Sequence, residues 1–185
     1  MKSMKRNDEG FTGLEAAIVL IAFVVVAAVF SYVVLGAGFF TTQKAQETVY
    51  KGVEQSTANI QMVGNVYGLS SDGTNINNIT FSIGLAPGAS AIDLTKMKIV
   101  FSTPTTTPVI LNQTAGSASE TSFTTKIGTS AVTSMNPNDQ VEIMFNVADV
   151  GANTKMNIEL RPSVGAALPF TKTAPATITN TSVLY

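Results

Sequence analysis

From Ala16 to Phe40 the chain runs for 25 residues without one charged side chain. At roughly 1.5 Å of rise per residue, a helix of that length reaches across the roughly 30 Å hydrocarbon core of a bilayer. Between Ile18 and Phe40 the run carries 16 large apolar side chains, distributed around every face of the helix. A single buried face therefore cannot satisfy it, and it must sit in lipid or be surrounded by other helices. Each of those side chains resists exposure to water by roughly 1.5 to 3 kcal/mol. Ala16, Ala17, Ala22, Ala27, Ala28, Gly36, Ala37 and Gly38 are small enough to let neighbouring helices come close. Moving such a helix from lipid into a bundle of like helices leaves the hydrophobic term almost unchanged, because lipid tails are about as apolar as Leu.

The flanks orient the run. Lys2, Lys5 and Arg6 precede it, which keeps the N-terminus cytoplasmic and sends the C-terminal part out. A secretory signal peptide fits poorly, since the run is longer than a usual apolar core and no small-x-small cleavage site follows it cleanly. A single-pass membrane anchor satisfies the same topology, so topology alone does not decide.

After the run the pattern changes twice. Val49, Val53, Ser56, Ile60, Val63 and Tyr67 recur at alternating steps of four and three, a coiled-coil-like stripe with otherwise polar faces. Glu47 and Lys51 stand four apart in the favourable order. The spacing predicts one hydrophobic-then-amphipathic helix over residues 11–67, about 85 Å long. The Gly-containing stretch 68–74 reads as a linker, and beyond it the period becomes two. Ile79, Phe81, Ile83 and Leu85 alternate with small or polar residues, as do Met97, Ile99 and Phe101, then Val141, Ile143, Phe145 and Val147, then Met156, Ile158 and Leu160. Less regular strands are expected near 107–111, 122–127 and 177–184. All seven Pro and 19 of the 24 Thr lie after residue 70, which agrees with strands and turns rather than helix. The expectation is an α+β chain: a long N-terminal helix, then an antiparallel immunoglobulin-like β-sandwich over residues 75–185 that folds by itself as an outer domain.

Catalysis has little to work with. Cys and His are both absent, which removes thiolate nucleophiles, disulfides, imidazole bases and the ordinary zinc and haem ligands. Past the apolar run the Asp residues, Asp72, Asp93, Asp139 and Asp149, are scattered and form no metal loop, and no Gly-rich phosphate cradle occurs. With a net charge of -1 and no basic stripe, nucleic-acid binding lacks its electrostatic footprint. The chain reads as neither an enzyme nor a cofactor or metal protein.

The segment Asp8-Glu9-Gly10-Phe11-Thr12-Gly13-Leu14-Glu15, directly before the apolar run, resembles the class III signal peptide of archaellins and type IV pilins. The run Ala17 to Leu35 is similar to the archaellin form of the helix: it contains no Pro, and the chain lacks the Cys pair that commonly closes a bacterial pilin's C-terminal loop. The resemblance implies removal of residues 1–10 by a prepilin-type signal peptidase that cuts between Gly10 and Phe11. It further implies passage through the membrane, export and assembly machinery, and polymerisation with other copies of the chain into an extracellular motility filament. An adhesive archaeal pilin subunit and a membrane-tethered binding module are the alternatives. The residues expected in the assembled core are Glu15, Phe23, Val25 and Phe30. Glu15 has two readings. It is either a carboxylate snorkelling at the cytoplasmic rim or, as the pilin resemblance implies, a partner for the amine that cleavage frees on a neighbouring Phe11. Three N-x-S/T triplets, at Asn78, Asn112 and Asn180, lie in the exported half, and the resemblance implies N-linked sugar there. Asn112 is preferred over Asn78, whose triplet runs directly into a strand.

Overall fold

The structure, a computed structural model, describes the backbone of residues 8–185 and the side chains of residues 13–185. The expected signal peptide therefore lies largely outside the described residues, as do the side chains of the expected cleavage pair Gly10 and Phe11. The chain divides into two compact units, Met1–Tyr50 and Lys51–Tyr185.

Helix α1 spans Asp8–Thr57, 50 residues, or about 75 Å. It is shorter than its stripe predicted. The last helical bond runs from the Ala58 N–H to the Glu54 carbonyl at 2.9 Å, and the chain then turns into strand β1, Ile60–Leu69. Residues 58–67 are thus not helix. Ile60, Val63 and Tyr67 matched the four-three spacing by coincidence, because Val63 and Tyr67 are large apolar residues on the outward face of a strand whose inward face carries Ile60. Pairing of β1 slips between Val63 and Tyr67, where Gly64 takes φ +80°. The slip is two residues, so the faces keep their alternation: Ile60, Met62, Val66 and Gly68 point inward while Val63 and Tyr67 point out.

The stretch expected as a linker is instead a hairpin turn inside the β unit. It joins β1 to β2, Ile76–Leu85. Within it Ser70 Oγ donates to the Asn75 carbonyl at 2.6 Å and accepts the Gly73 N–H at 2.9 Å. Asp72 Oδ1 accepts the N–H groups of Thr74 and Asn75. Asp and Ser favour such turns because their short side chains bond their own backbone.

The remaining strands are β3 (Ile92–Asp93), β4 (Lys98–Ser102), β5 (Val109–Gln113), β6 (Ser122–Ile127), β7 (Ser130–Ala131), β8 (Ser134–Met135), β9 (Gln140–Val150), β10 (Lys155–Arg161), β11 (Leu168–Thr173) and β12 (Thr181–Leu184). The main sheet runs β11-β10-β4-β5-β6-β9-β2-β1-β12, with β7 on β6, and only the β5–β6 pair is parallel. The two layers expected of a sandwich are parts of this one sheet, curled until its ends meet. Thr173, closing β11, and Tyr185, following β12, exchange backbone hydrogen bonds of 2.6 and 3.3 Å. The result is a mostly antiparallel sandwich close to a barrel.

Alternation places the core. Ile79, Phe81 and Ile83 of β2, Ile99 and Phe101 of β4, and Val141, Ile143, Phe145 and Val147 of β9 are all buried, with Met156, Ile158 and Leu160 of β10. Phe81 meets Phe145 and Phe170 edge-on at 6.4 and 5.4 Å, and Phe101 meets Phe145 at 5.8 Å, so the rings tie four strands together. Gly165, at φ +100°, lies where a Cβ would collide with the Ala58 carbonyl, so the β10–β11 loop closes tightly over the start of the β unit.

Candidate assembly surface

Unit one has no core of its own. Every side chain described from Gly13 to Tyr50 is exposed, including Phe23 at 71%, Phe30 at 69% and Val25 at 55%. At about 100° per residue, Phe23 and Phe30 stand within about 20° of one another, while Val25 lies on nearly the opposite face. The expected assembly residues therefore surround the helix rather than share one side. A helix apolar all round with nothing covering it within its chain is a surface for lipid or for other helices.

Two details fit that role. Gly36 and Gly38 have no atom within 4 Å of where a Cβ would stand. Each costs the helix about 1 kcal/mol against Ala, and the subunit shows no return for it. The return must come from outside the chain, where a glycine lets a neighbouring backbone close in. Gly38 forms the floor of an open apolar groove whose walls are Phe30, Val34, Leu35 and Phe39. Polar side chains at the C-terminal end of the run are satisfied internally. Thr41 Oγ1 donates to the Ala37 carbonyl at 2.8 Å and Thr42 Oγ1 to the Gly38 carbonyl at 2.9 Å. Hydroxyls turned onto their own helix in this way enter an apolar environment without an unmet hydrogen bond. Sequence periodicity gave no sign of this, although Thr four residues after a small residue is a pattern that permits it.

Glu15 is exposed and has no hydrogen-bond or ion-pair partner among the described residues. Among the residues whose side chains are described it is the only carboxylate before Glu47. Farther along, Lys44 and Glu47 pair at 2.7 Å on the exposed surface.

The four Asp residues of the β unit and Glu159 are each engaged within that unit. Asp72 organises the β1–β2 turn, and the backbone N–H groups of Thr74 and Asn75, with the Ser70 hydroxyl, hold its pKa below the usual carboxylate value. Asp93 caps the short 3-10 turn at Leu94–Lys96, its pKa lowered by the Thr95 hydroxyl, the Thr95 N–H and then Lys96. Asp139 accepts from the Asn136 backbone and side chain, both at 3.0 Å, and Asp149 accepts from Asn77 Nδ2 at 2.6 Å. Glu159 is paired with Arg161 at 2.9 Å, which lowers the acid's pKa and raises the base's.

The three candidate glycan sites differ. Asn112 is exposed on β5, and the Thr114 hydroxyl of its triplet accepts only a turn N–H, from Gly116. Asn180 is exposed just before β12, but the Ser182 of its triplet is buried and bonded to Thr179. Asn78 is half-buried in β2 between two strands, with Thr80 donating to Glu142 at 2.8 Å.

Comparison with known proteins takes in both units. The family model for archaeal-type flagellin matches residues 10–172. A protein named probable flagellin 1 of Archaeoglobus fulgidus is 38% identical over 195 residues, covering 97% of this chain and 96% of that one. The solved archaeal flagellum of Methanospirillum hungatei strain JF1 superposes with a TM-score of 0.73 at 34% identity, covering 94% of this chain and 99% of that chain. The crystal structure of archaeal flagellin FlaB1 from Methanocaldococcus jannaschii shares the fold, with a TM-score of 0.59 at 16% identity over 69% of this chain and 96% of that one.

Proposed function

Because this chain belongs to the archaeal-type flagellin family, we propose that it is the structural subunit of the archaeal swimming filament, polymerising through α1 into a core of packed helices. The observation that carries the reading is the complete exposure of an apolar helix beside a β unit that has its own closed core. Copies of the same chain are the partners that such a helix requires. The filament is extracellular, and the subunit's work is mechanical rather than catalytic.

The steps before assembly follow from the N-terminal segment. A prepilin-type signal peptidase removes residues 1–10 at the cytoplasmic face, and the apolar run holds the subunit in the membrane until export and assembly machinery extracts it. Since the transfer from lipid to helix bundle gains little hydrophobic energy, extraction and ordering need an external energy source. Cleavage creates an amine on Phe11, and Glu15 of a neighbouring copy is its counter-charge. A desolvated pair is worth keeping in the core only when both partners are present. Sugar on Asn112 is favoured among the three triplets by its exposure and by a Thr114 hydroxyl that only accepts the Gly116 N–H.

Electron microscopy of native filaments, together with an intact mass of their subunit, tests this reading. Rotating filaments built from a subunit that begins at Phe11 are the expected result. Subunits retaining Met1 in assembled material would remove the cleavage step, and filaments that attach cells without rotating would make the chain an adhesive pilin. Glu15→Ala is expected to leave membrane insertion intact, because the uncharged run drives it, and to reduce filament yield. Normal yield from that variant would leave Glu15 as a rim carboxylate only.

A further inference from the structure

The β unit keeps its apolar side chains inside with few exceptions, and the exceptions are grouped. Between Ala58 and Tyr185 six large apolar side chains are at least 36% exposed, and four of them, Val63, Tyr67, Val183 and Tyr185, belong to β1 and the β12 segment. Tyr67 and Val183 are direct cross-strand partners. Tyr185 follows Val183 on the same outward face, and Val63 stands across the bulge on β1. Neither β1 nor β12 contains a charged residue. The sheet is closed where β11 meets the β12 segment, so what stands uncovered there is this outward apolar face and not an unpaired strand edge.

A filament supplies the cover. An open helical polymer needs heterologous contacts, in which one surface of a subunit meets a different surface of the next. Half-way round the closed sheet from β1 and β12 lie β4 and β5, whose outward faces bring Val100 and Ile110 together as direct partners. Ile110 is 51% exposed. We propose that the Val63–Tyr67–Val183–Tyr185 wall of one β unit docks on the Val100–Ile110 wall of the β unit in a neighbouring copy, as a second contact beside that of the helices. This rests on the filament-subunit reading. The patch is too small to hold two free β units together, and it does not need to. Helices already packed place the β units side by side, so the contact forms at high effective concentration. It continues directly in sequence from the assembly helix, since β1 begins after only Ala58 and Asn59. Asn112 lies one outward position beyond Ile110, about 7 Å along the strand, so a sugar there stands at the rim of the docked surface.

The absence of Cys from the chain makes the test clean. Filaments of a full-length Val183→Cys, Ile110→Cys double variant, treated with a short bis-maleimide, are expected to run as a covalent ladder on a denaturing gel. Each single variant is expected to stay monomeric there. If the double variant does not assemble, the pair Tyr67→Cys and Val100→Cys is put to the same measurement. Intact filaments without a ladder from either pair overturn the contact but leave the filament reading standing. Dimers from Val183→Cys alone overturn it in favour of a symmetric contact. Failure of the unsubstituted protein to form filaments would instead strike the reading on which the proposal rests.

Discussion

The two units answer the same hydrophobic effect in opposite ways. In α1 the large apolar side chains are exposed from Leu14 to Phe40, whereas in the β unit Phe81, Phe123 and Phe145 and their aliphatic neighbours are sealed inside a closed sheet. One unit is complete within its chain and the other is half of an interface. The described side chains of α1 up to Tyr50 are all exposed in the lone subunit, so the helix finds its packing among other copies. The β unit folds against itself, so its sequence shows the ordinary signature of alternation. A substitution should therefore damage assembly or folding according to the unit it falls in, and seldom both.

The hardest blow to that contrast is a charge in the helix. Val25→Asp places a carboxylate in the assembled core with no partner, a loss of several kcal/mol repeated in every subunit. Filaments should be absent by electron microscopy, while the thermal transition of the β unit in the same protein stays unchanged. A shifted transition, or normal filaments, would break the separation.

Phe145→Ala should do the reverse. Phe145 is fully buried and touches Phe81 and Phe101. Truncation costs about 3 to 5 kcal/mol, a large share of a domain stability that is typically 5 to 15 kcal/mol. Chemical denaturation of residues 58–185 measures it. That fragment is also the right one to express. A fragment from residue 70 would lack β1, which pairs with both β2 and β12 and contributes Ile60 and Val66 to the core. Circular dichroism should find 58–185 folded and β-rich, and 70–185 largely unfolded.

The misplaced boundary shows what sequence can and cannot carry. Strands β2, β4, β9 and β10 were legible because each buries a strictly alternating set, Ile79-Phe81-Ile83 being the plainest. The apolar helix was legible because an uncharged run of 25 residues has few other fates. Strand β1 was not, because its outward face also carries Val63 and Tyr67, and these join the inward Ile60 in a spacing that mimics a helix. Strand β11 escaped too, since Leu168 and Phe170 are only half-buried and Pro169 sits between them. Closure at Thr173 and Tyr185 is a backbone contact between segments whose side chains carry no record of it. The exposed apolar surface of α1 at Phe23, Val25 and Phe30 was legible from apolarity alone, while the hydroxyls that Thr41 and Thr42 turn onto their own helix needed the helix to be seen.

Gly38→Leu separates packing from hydrophobicity and should have an intermediate effect. It adds apolar surface and improves helix propensity by about 0.8 to 1 kcal/mol, so membrane insertion should persist. Filling the groove between Phe30, Leu35 and Phe39 should nonetheless thin or shorten filaments, because a neighbouring helix can no longer approach. Filament length and yield by electron microscopy give the answer, and unchanged filaments would show that this groove is not used.

Acid should affect the units least, and only the β unit through the groups whose pKa values are displaced. Asp72, Asp93 and Glu159 are all held below their ordinary values in the folded chain, by turn N–H groups, by the Thr95 hydroxyl and by Arg161 respectively. A depressed folded pKa means that the unfolded chain takes up the proton first. The stabilisation is then fully present above the unfolded value, about 3.9 for Asp and about 4.3 for Glu, and is lost as pH falls through the lower folded value. With no His in the chain, no imidazole titrates between pH 5 and 8. The Tm of residues 58–185 should accordingly stay flat across that neutral range and drop below about pH 4. All three carboxylates are at the surface, so the drop should be smaller than the loss from Phe145→Ala. Asp72→Asn keeps an oxygen for the Thr74 and Asn75 N–H groups but cannot titrate, and should narrow the gap between the Tm values at pH 7 and pH 3. An equal Tm at both pH values in the unsubstituted fragment would mean that these turn bonds persist in the unfolded chain or contribute nothing to folding.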